Sequence, residues 1–95
     1  KNYKKMIFQI FNLLILEIRL KKIILDARKF ILLNQEIQSK IFLNSLKYVN
    51  SSNYKIRTKK IDYSISKILN NDNISLNLSN TLIKRIGKKI VISHN

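Results

Sequence analysis

The spacing of apolar positions changes several times along the chain, and each change predicts an element. Lys5 to Phe11 is a short apolar run of mixed pattern and reads as a central strand. Asn12 stands where a helix N-cap would. Leu13, Leu16, Leu20, Ile23, Ile24, Ala27 and Ile31 then recur at three- and four-residue spacing. That spacing predicts an amphipathic helix to about Phe30, with Arg19, Lys22 and Lys29 toward water and Arg28 and Lys29 suited to its C-terminal dipole. Ile31 to Ser39 carries no decisive period. Lys40 to Val49 reads as a second strand, and the Asn50-Ser51-Ser52-Asn53 cluster as a turn. Beyond it Tyr54, Ile56 and Thr58 alternate with Lys55, Arg57 and Lys59, which predicts a third strand with a row of cations on one side. Ile61, Ile65, Ile68 and Leu69 mark a second, short helix that the Asn70–Asn73 cluster ends. Ile74, Leu76 and Leu78 alternate with Ser75 and Asn77 as a half-buried strand.

The resulting order, β-α-β-β-α-β, predicts an α+β fold of the ferredoxin-like kind: a four-stranded sheet with two helices on one face. On this reading residues 1–79 form a single domain, and residues 80–95 form a basic C-terminal extension. Many functions share that fold, so the chemistry has to come from the side chains.

Charge narrows the possibilities. The 95 residues carry 19 Lys or Arg against five acids, a formal net charge of +14. A protein so cationic attracts polyanions, which makes RNA, DNA or an anionic membrane the expected partner. Ile, Lys and Asn dominate, and these residues share A- and T-rich codons, so base composition contributes to the lysine content. An AT-rich genome points to an organelle or a parasite, with a mitochondrial location expected and a plastid as the alternative.

Several chemistries are not expected. Cysteine and proline are absent and there is one glycine, so neither a thiolate metal site nor a glycine-rich phosphate loop can be built. The single histidine, His94, is next to last, and Glu17, Asp26, Glu36, Asp62 and Asp72 are scattered. No enzyme, metal or cofactor is expected from these residues. The apolar run from Met6 to Ile18 is about 13 residues long where a membrane span needs roughly 20. Asn12 and Glu17 interrupt it, so no span is expected.

The residues with chemistry to offer are cations interleaved with aromatics, amides and hydroxyls. Lys47, Tyr48, Asn50, Ser51, Ser52, Asn53, Tyr54, Lys55, Arg57, Thr58, Lys59 and Lys60 fall in one short stretch. Lys and Arg neutralise phosphate, Ser and Asn hydrogen-bond phosphate and sugar oxygens, and Tyr stacks on unpaired bases. Lys84, Arg85, Lys88 and Lys89 form a second basic set in the extension. A solvated hairpin with charged edges is the alternative use of the first set.

The stretch YVNSSNYKIRTKKID, Tyr48 to Asp62, resembles the signature region of the small-subunit ribosomal protein S-ten family. That family has an H-V-N segment, a short variable loop, and then Y-E-I-R-T-H-K-R. Tyr48, Val49 and Asn50 are similar to the first part, and Tyr54, Ile56, Arg57, Thr58 and Lys60 to the second. The resemblance covers about residues 46–79. Lys55 and Lys59 stand where the family has Glu and His, and the chain lacks the family's proline-containing loop. The resemblance implies a structural constituent of the head of the ribosomal small subunit, bound to rRNA and to neighbouring head proteins through a basic hairpin. Two other readings compete: an accessory subunit of an organellar membrane complex, and a free RNA-binding protein.

Overall fold

The computed structural model describes residues 3–50 and 56–94. Among them the order is α1 (Tyr3–Leu14), β1 (Ile15–Arg19), β2 (Lys22–Asp26), α2 (Ala27–Ile31), α3 (Gln35–Val49), α4 (Thr58–Asn70), β3 (Asn73–Leu78), β4 (Thr81–Ile86) and β5 (Lys89–His94). The fold is α+β, as expected. The strands form one antiparallel sheet of order β1-β2-β5-β4-β3. Five strands rather than four, and a helix rather than a strand at the start, replace the expected ferredoxin-like plait.

Each departure has a local cause. Ile7, Phe11 and Leu14 are buried, and their spacing of four and three places them on one helical face. That face makes α1 where a strand was expected. The long helix expected over residues 13–30 is instead the end of α1, the β1–β2 hairpin and then α2. Ile and Leu are so dense there that helical spacing and alternation both fit. Burial decides: Ile23 and Leu25 are fully buried, with half-buried Lys22 and Ile24 alternating with them. The Leu20-Lys21 turn also escapes notice, because Lys21 takes the left-handed conformation (φ 58) without being Gly, Asn or Asp.

The strand expected from Lys40 is part of α3. Ile41, Phe42, Ser45, Leu46 and Val49 are its buried face. The Asn34 side chain caps it, accepting the Ile37 N–H at 2.9 Å. Asp26 caps α2 by accepting the Arg28 N–H at 3.0 Å. The third expected strand is partly outside the described residues. From Thr58 onward the chain is helical, so the helix expected around Ile61–Leu69 is longer at its start.

The C-terminal residues are no extension. β4 and β5 lie inside the sheet, with β5 between β2 and β4. Ile83, Ile90 and Ile92 are at most 1% exposed and meet Ile23 and Leu25 across the ladder. α3 crosses β2 and β5 on this side, and α4 lies beside β3. α1 packs on α2 and α3. A boundary after residue 79 would cut the β3–β4 turn.

Register places the remaining strand residues on the other side. One row runs Glu17, Ile24, Val91, Lys84, Ser75, and the next runs Arg19, Lys22, Ser93, Leu82, Asn77. These residues are half-buried or exposed, so among the described residues this face of the sheet is open.

Candidate nucleic-acid interface

α4 is aligned by what it buries. Ile61, Ser64, Ile65 and Ile68 face the core. With that face fixed, 3.6 residues per turn leaves Lys59, Lys60, Tyr63 and Lys67 along the outer side. Tyr63 is 59% exposed. The Lys67 ammonium lies 5.3 Å from the centre of its ring, a cation–π distance.

The first turn of α4 gathers positive charge. Arg57 is the N-cap residue but makes no side-chain cap, and no acid lies in the first turn. The Arg57 carbonyl accepts the N–H groups of Lys60 and Ile61 at 3.0 and 3.2 Å. Arg57, Lys59 and Lys60, all exposed, therefore surround the positive end of a helix dipole. Such an arrangement favours an anion nearby.

β3 supplies the facing wall. Between α4 and β3 lies a groove of about 290 Å³, with Lys59, Lys60 and Tyr63 on the helix side and Leu76, Asn77 and Ser79 on the strand side. Ser79 and Asn80 both have positive φ, 49 and 64, which makes the two-residue β3–β4 turn a tight hairpin of fixed shape. Asn50, at the end of α3, donates its side-chain amide to the Ser79 carbonyl at 3.2 Å. The turn is thus tied to a second element. A phosphate-bearing chain laid along this groove would meet lysine ammonium groups, an exposed ring and a polar strand edge together.

The residues singled out from sequence are dispersed by the fold. Arg57, Thr58, Lys59 and Lys60 are together on α4, and Asn50 is tied to the same region. Ser51, Ser52, Asn53, Tyr54 and Lys55 lie outside the described residues. Lys47 lines another groove, of about 400 Å³ between α1 and α3, with Lys4, Lys40 and Phe8. Tyr3 lines it too and donates to the Glu36 carboxylate at 3.0 Å. Its phenol is pushed up from its ordinary value by desolvation and by that carboxylate. Tyr48 donates its hydroxyl to the Arg19 carbonyl at 3.1 Å.

The second basic set divides. Lys84 and Lys89 are exposed on the open sheet face, diagonal to one another across β4 and β5. Lys88 is exposed in the β4–β5 turn, where its carbonyl accepts the Ala27 N–H at 2.9 Å. Gly87 beside it has φ 59, a conformation that suits glycine. Arg85 points the other way. It is 7% exposed, and its guanidinium donates to the Ile68 carbonyl at 2.8 Å and the Gly87 carbonyl at 2.9 Å. Its position in the core corrects its place among the candidate RNA contacts.

Sequence reasoning passed over Tyr63, Lys67, Asn77 and Ser79. Extending the second helix back to Thr58 would have aligned Lys59, Tyr63 and Lys67 at steps of four. Among the described residues no cluster of His, Asp or Glu could hold a metal ion, and no helix is long and apolar enough to cross a membrane. Comparison with protein-family models finds no match for this chain, and comparison with curated proteins finds none.

Proposed function

We propose that this chain binds RNA, with the α4–β3 groove holding the phosphate backbone and Tyr63 stacking on an unpaired base. The observation that carries this reading is the wall that Lys59, Lys60 and Tyr63 form along the groove, with the Lys67 ammonium held against the Tyr63 ring. A net charge of +14 supports it. Arg57 and the uncapped first turn of α4 add to the field at one end. The protein's work is to neutralise phosphate and hold an RNA segment in place, with no reaction.

The resemblance of residues 46–79 to the S-ten family supplies the finer proposal. There the RNA is the rRNA of a small-subunit head, the neighbours are other head proteins, and the particle is mitochondrial or, failing that, plastid. The likeness is one of residue string. The basic β-hairpin it implied is not formed where the chain is described, since Thr58–Asn70 is helical. α4 takes over the presentation of Arg57, Lys59 and Lys60.

Titration of labelled single-stranded RNA over a range of salt tests the first level. Each lysine that neutralises a phosphate of a single strand adds about 0.7 to the slope of log K against log salt. The Lys59→Ala/Lys60→Ala variant should flatten the slope by one to two such steps, and an unchanged slope removes the groove from the interface. The same titration with duplex DNA separates RNA binding from general polyanion binding. Sedimentation of native lysate at two salt concentrations tests the finer level: the chain should travel with small ribosomal subunits at both, and recovery with free RNA particles or membranes would overturn the ribosomal assignment alone.

A further inference from the structure

Among the described residues β1 is one edge of the sheet, and it is an apolar edge. Leu16 is 52% exposed and Ile18 48%, and Leu20 in the following turn is 88% exposed. Scattered exposed apolar residues need no explanation. Alternate ones on an edge strand are different, because such an edge is a template for another strand. The opposite edge, β3, presents exposed Asn73, Ser75 and Asn77 instead.

We propose that β1 pairs antiparallel with β1 of a second copy, about a twofold axis through Ile18. Hydrogen-bond parity and charge together single out this register. In the β1–β2 hairpin, Arg19 and Lys22 flank a two-residue turn, so this pair exchanges hydrogen bonds and the pattern alternates from there. The Ile18 N–H and C=O therefore face away from β2, toward the edge. An antiparallel partner strand can meet them in three registers, centred on Glu17, Ile18 or Arg19. Centring on Glu17 sets two carboxylates against each other, and centring on Arg19 sets two guanidiniums against each other. Centring on Ile18 sets Glu17 against Arg19 of the second copy, twice by symmetry. These are the non-hydrogen-bonded positions, where facing side chains approach most closely.

Within one copy Arg19 already holds the Glu17 carboxylate. Pairing would join two such ion pairs into a four-membered network. In the same register Ile18 meets Ile18 of the second copy, so the exposed apolar residue at the centre of the edge gains an apolar partner. Leu16, at the bulge between Ile15 and Glu17, and Leu20, in the turn, lie at the two ends of this contact. The two sheets would become one of ten strands. An isologous contact of this kind closes on itself, so it yields a dimer and not a fibre.

The test is equilibrium sedimentation of the full chain after nuclease treatment, at a salt concentration high enough to screen repulsion between copies. A concentration-dependent dimer is expected. Glu17→Arg alone and Arg19→Glu alone should each weaken it by on the order of tenfold, since opposite cross-strand charges become like charges. The combined Glu17→Arg/Arg19→Glu variant should restore it. The chain has no cysteine, so Ile18→Cys reports cleanly. At a twofold axis the paired Cα atoms lie about 5.5 Å apart, within disulfide reach, and mild oxidation should link the copies. Asn73→Cys on the opposite edge should link far more slowly. A monomer at every concentration overturns the proposal. So does a dimer that ignores the single charge reversals, because the copies would then meet elsewhere. Nucleic acid is absent throughout the experiment, so its result is independent of RNA binding.

Discussion

Arg85 lies in a basic run, beside Lys84 and close to Lys88 and Lys89, yet it is a core residue. Its guanidinium reaches the last turn of α4 through the Ile68 carbonyl and the β4–β5 turn through the Gly87 carbonyl. The nearby Asp72 carboxylate, 3.6 Å away, is 93% exposed, so solvent screens that pair and it contributes little. The Ile68 carbonyl matters more, because it is a hydrogen-bond acceptor that Arg85 satisfies out of water, while the bond to the Gly87 carbonyl is partly buried. Arg85→Met should therefore lower unfolding stability by about 2–4 kcal/mol, read from the denaturant midpoint, and leave the salt slope of RNA binding unchanged in the folded fraction. Arg57 is the converse case. It is exposed at an N-cap position with no cap. Arg57→Asp should stabilise the protein by about 1 kcal/mol through capping and the helix dipole, while weakening RNA binding. A variant that gains stability and keeps full affinity would place the RNA elsewhere.

At the scale of elements, α4 is both a core helix and the outer wall of the groove. Its buried positions at steps of three and four leave the other side free for Lys59, Tyr63 and Lys67. Tyr63→Ala should cost little stability, since the ring is largely exposed. It should weaken single-stranded RNA binding by about 1–3 kcal/mol, the value of one stacked base, with a much smaller loss for duplex. Equal losses for both would assign Tyr63 a role in shaping the groove and not in stacking. Most of this helix and all of β3 were legible in the sequence, because Ile61, Ile65 and Ile68 fit only a helical period and Ile74, Leu76 and Leu78 only an alternating one. α1 and α3 were misread as strands. Many of their apolar residues are β-branched or aromatic, types that favour strands locally, while their burial in helical register comes from contacts with other elements.

At the scale of the molecule, the C-terminal residues hold the sheet together. β5 joins the β1–β2 hairpin to β4, and through it to β3. A chain ending at Asn80 would leave Ile23, Leu25 and the inner face of α3 without β5, and β3 without β4, its partner in the ladder. It should show no cooperative unfolding transition by circular dichroism, whereas a true basic tail could be removed with only a fall in RNA affinity. The fold also distributes charge in a way that chain order does not reveal. Lys47 goes to the α1–α3 groove, Lys59 and Lys60 to the α4–β3 groove, and Lys84 and Lys89 to the open sheet face. The charge is thus spread over several surfaces, and the α4–β3 groove combines its cations with the exposed ring of Tyr63.

The amino-acid sequence by itself determined the α+β class, the strongly cationic character, α4 over most of its length, and β3. Those features depend on composition or on a single unambiguous period. Tertiary structure decided the rest. Which Ile-rich segments became helix or strand depended on whether neighbours could bury a stripe or an alternating face. Which cations meet depended on sheet order, since β5 enters between β2 and β4, far apart in sequence. And the roles of Arg85 and Lys84, adjacent residues of one strand, were set by the alternation that sends one side chain into the core and the next to water.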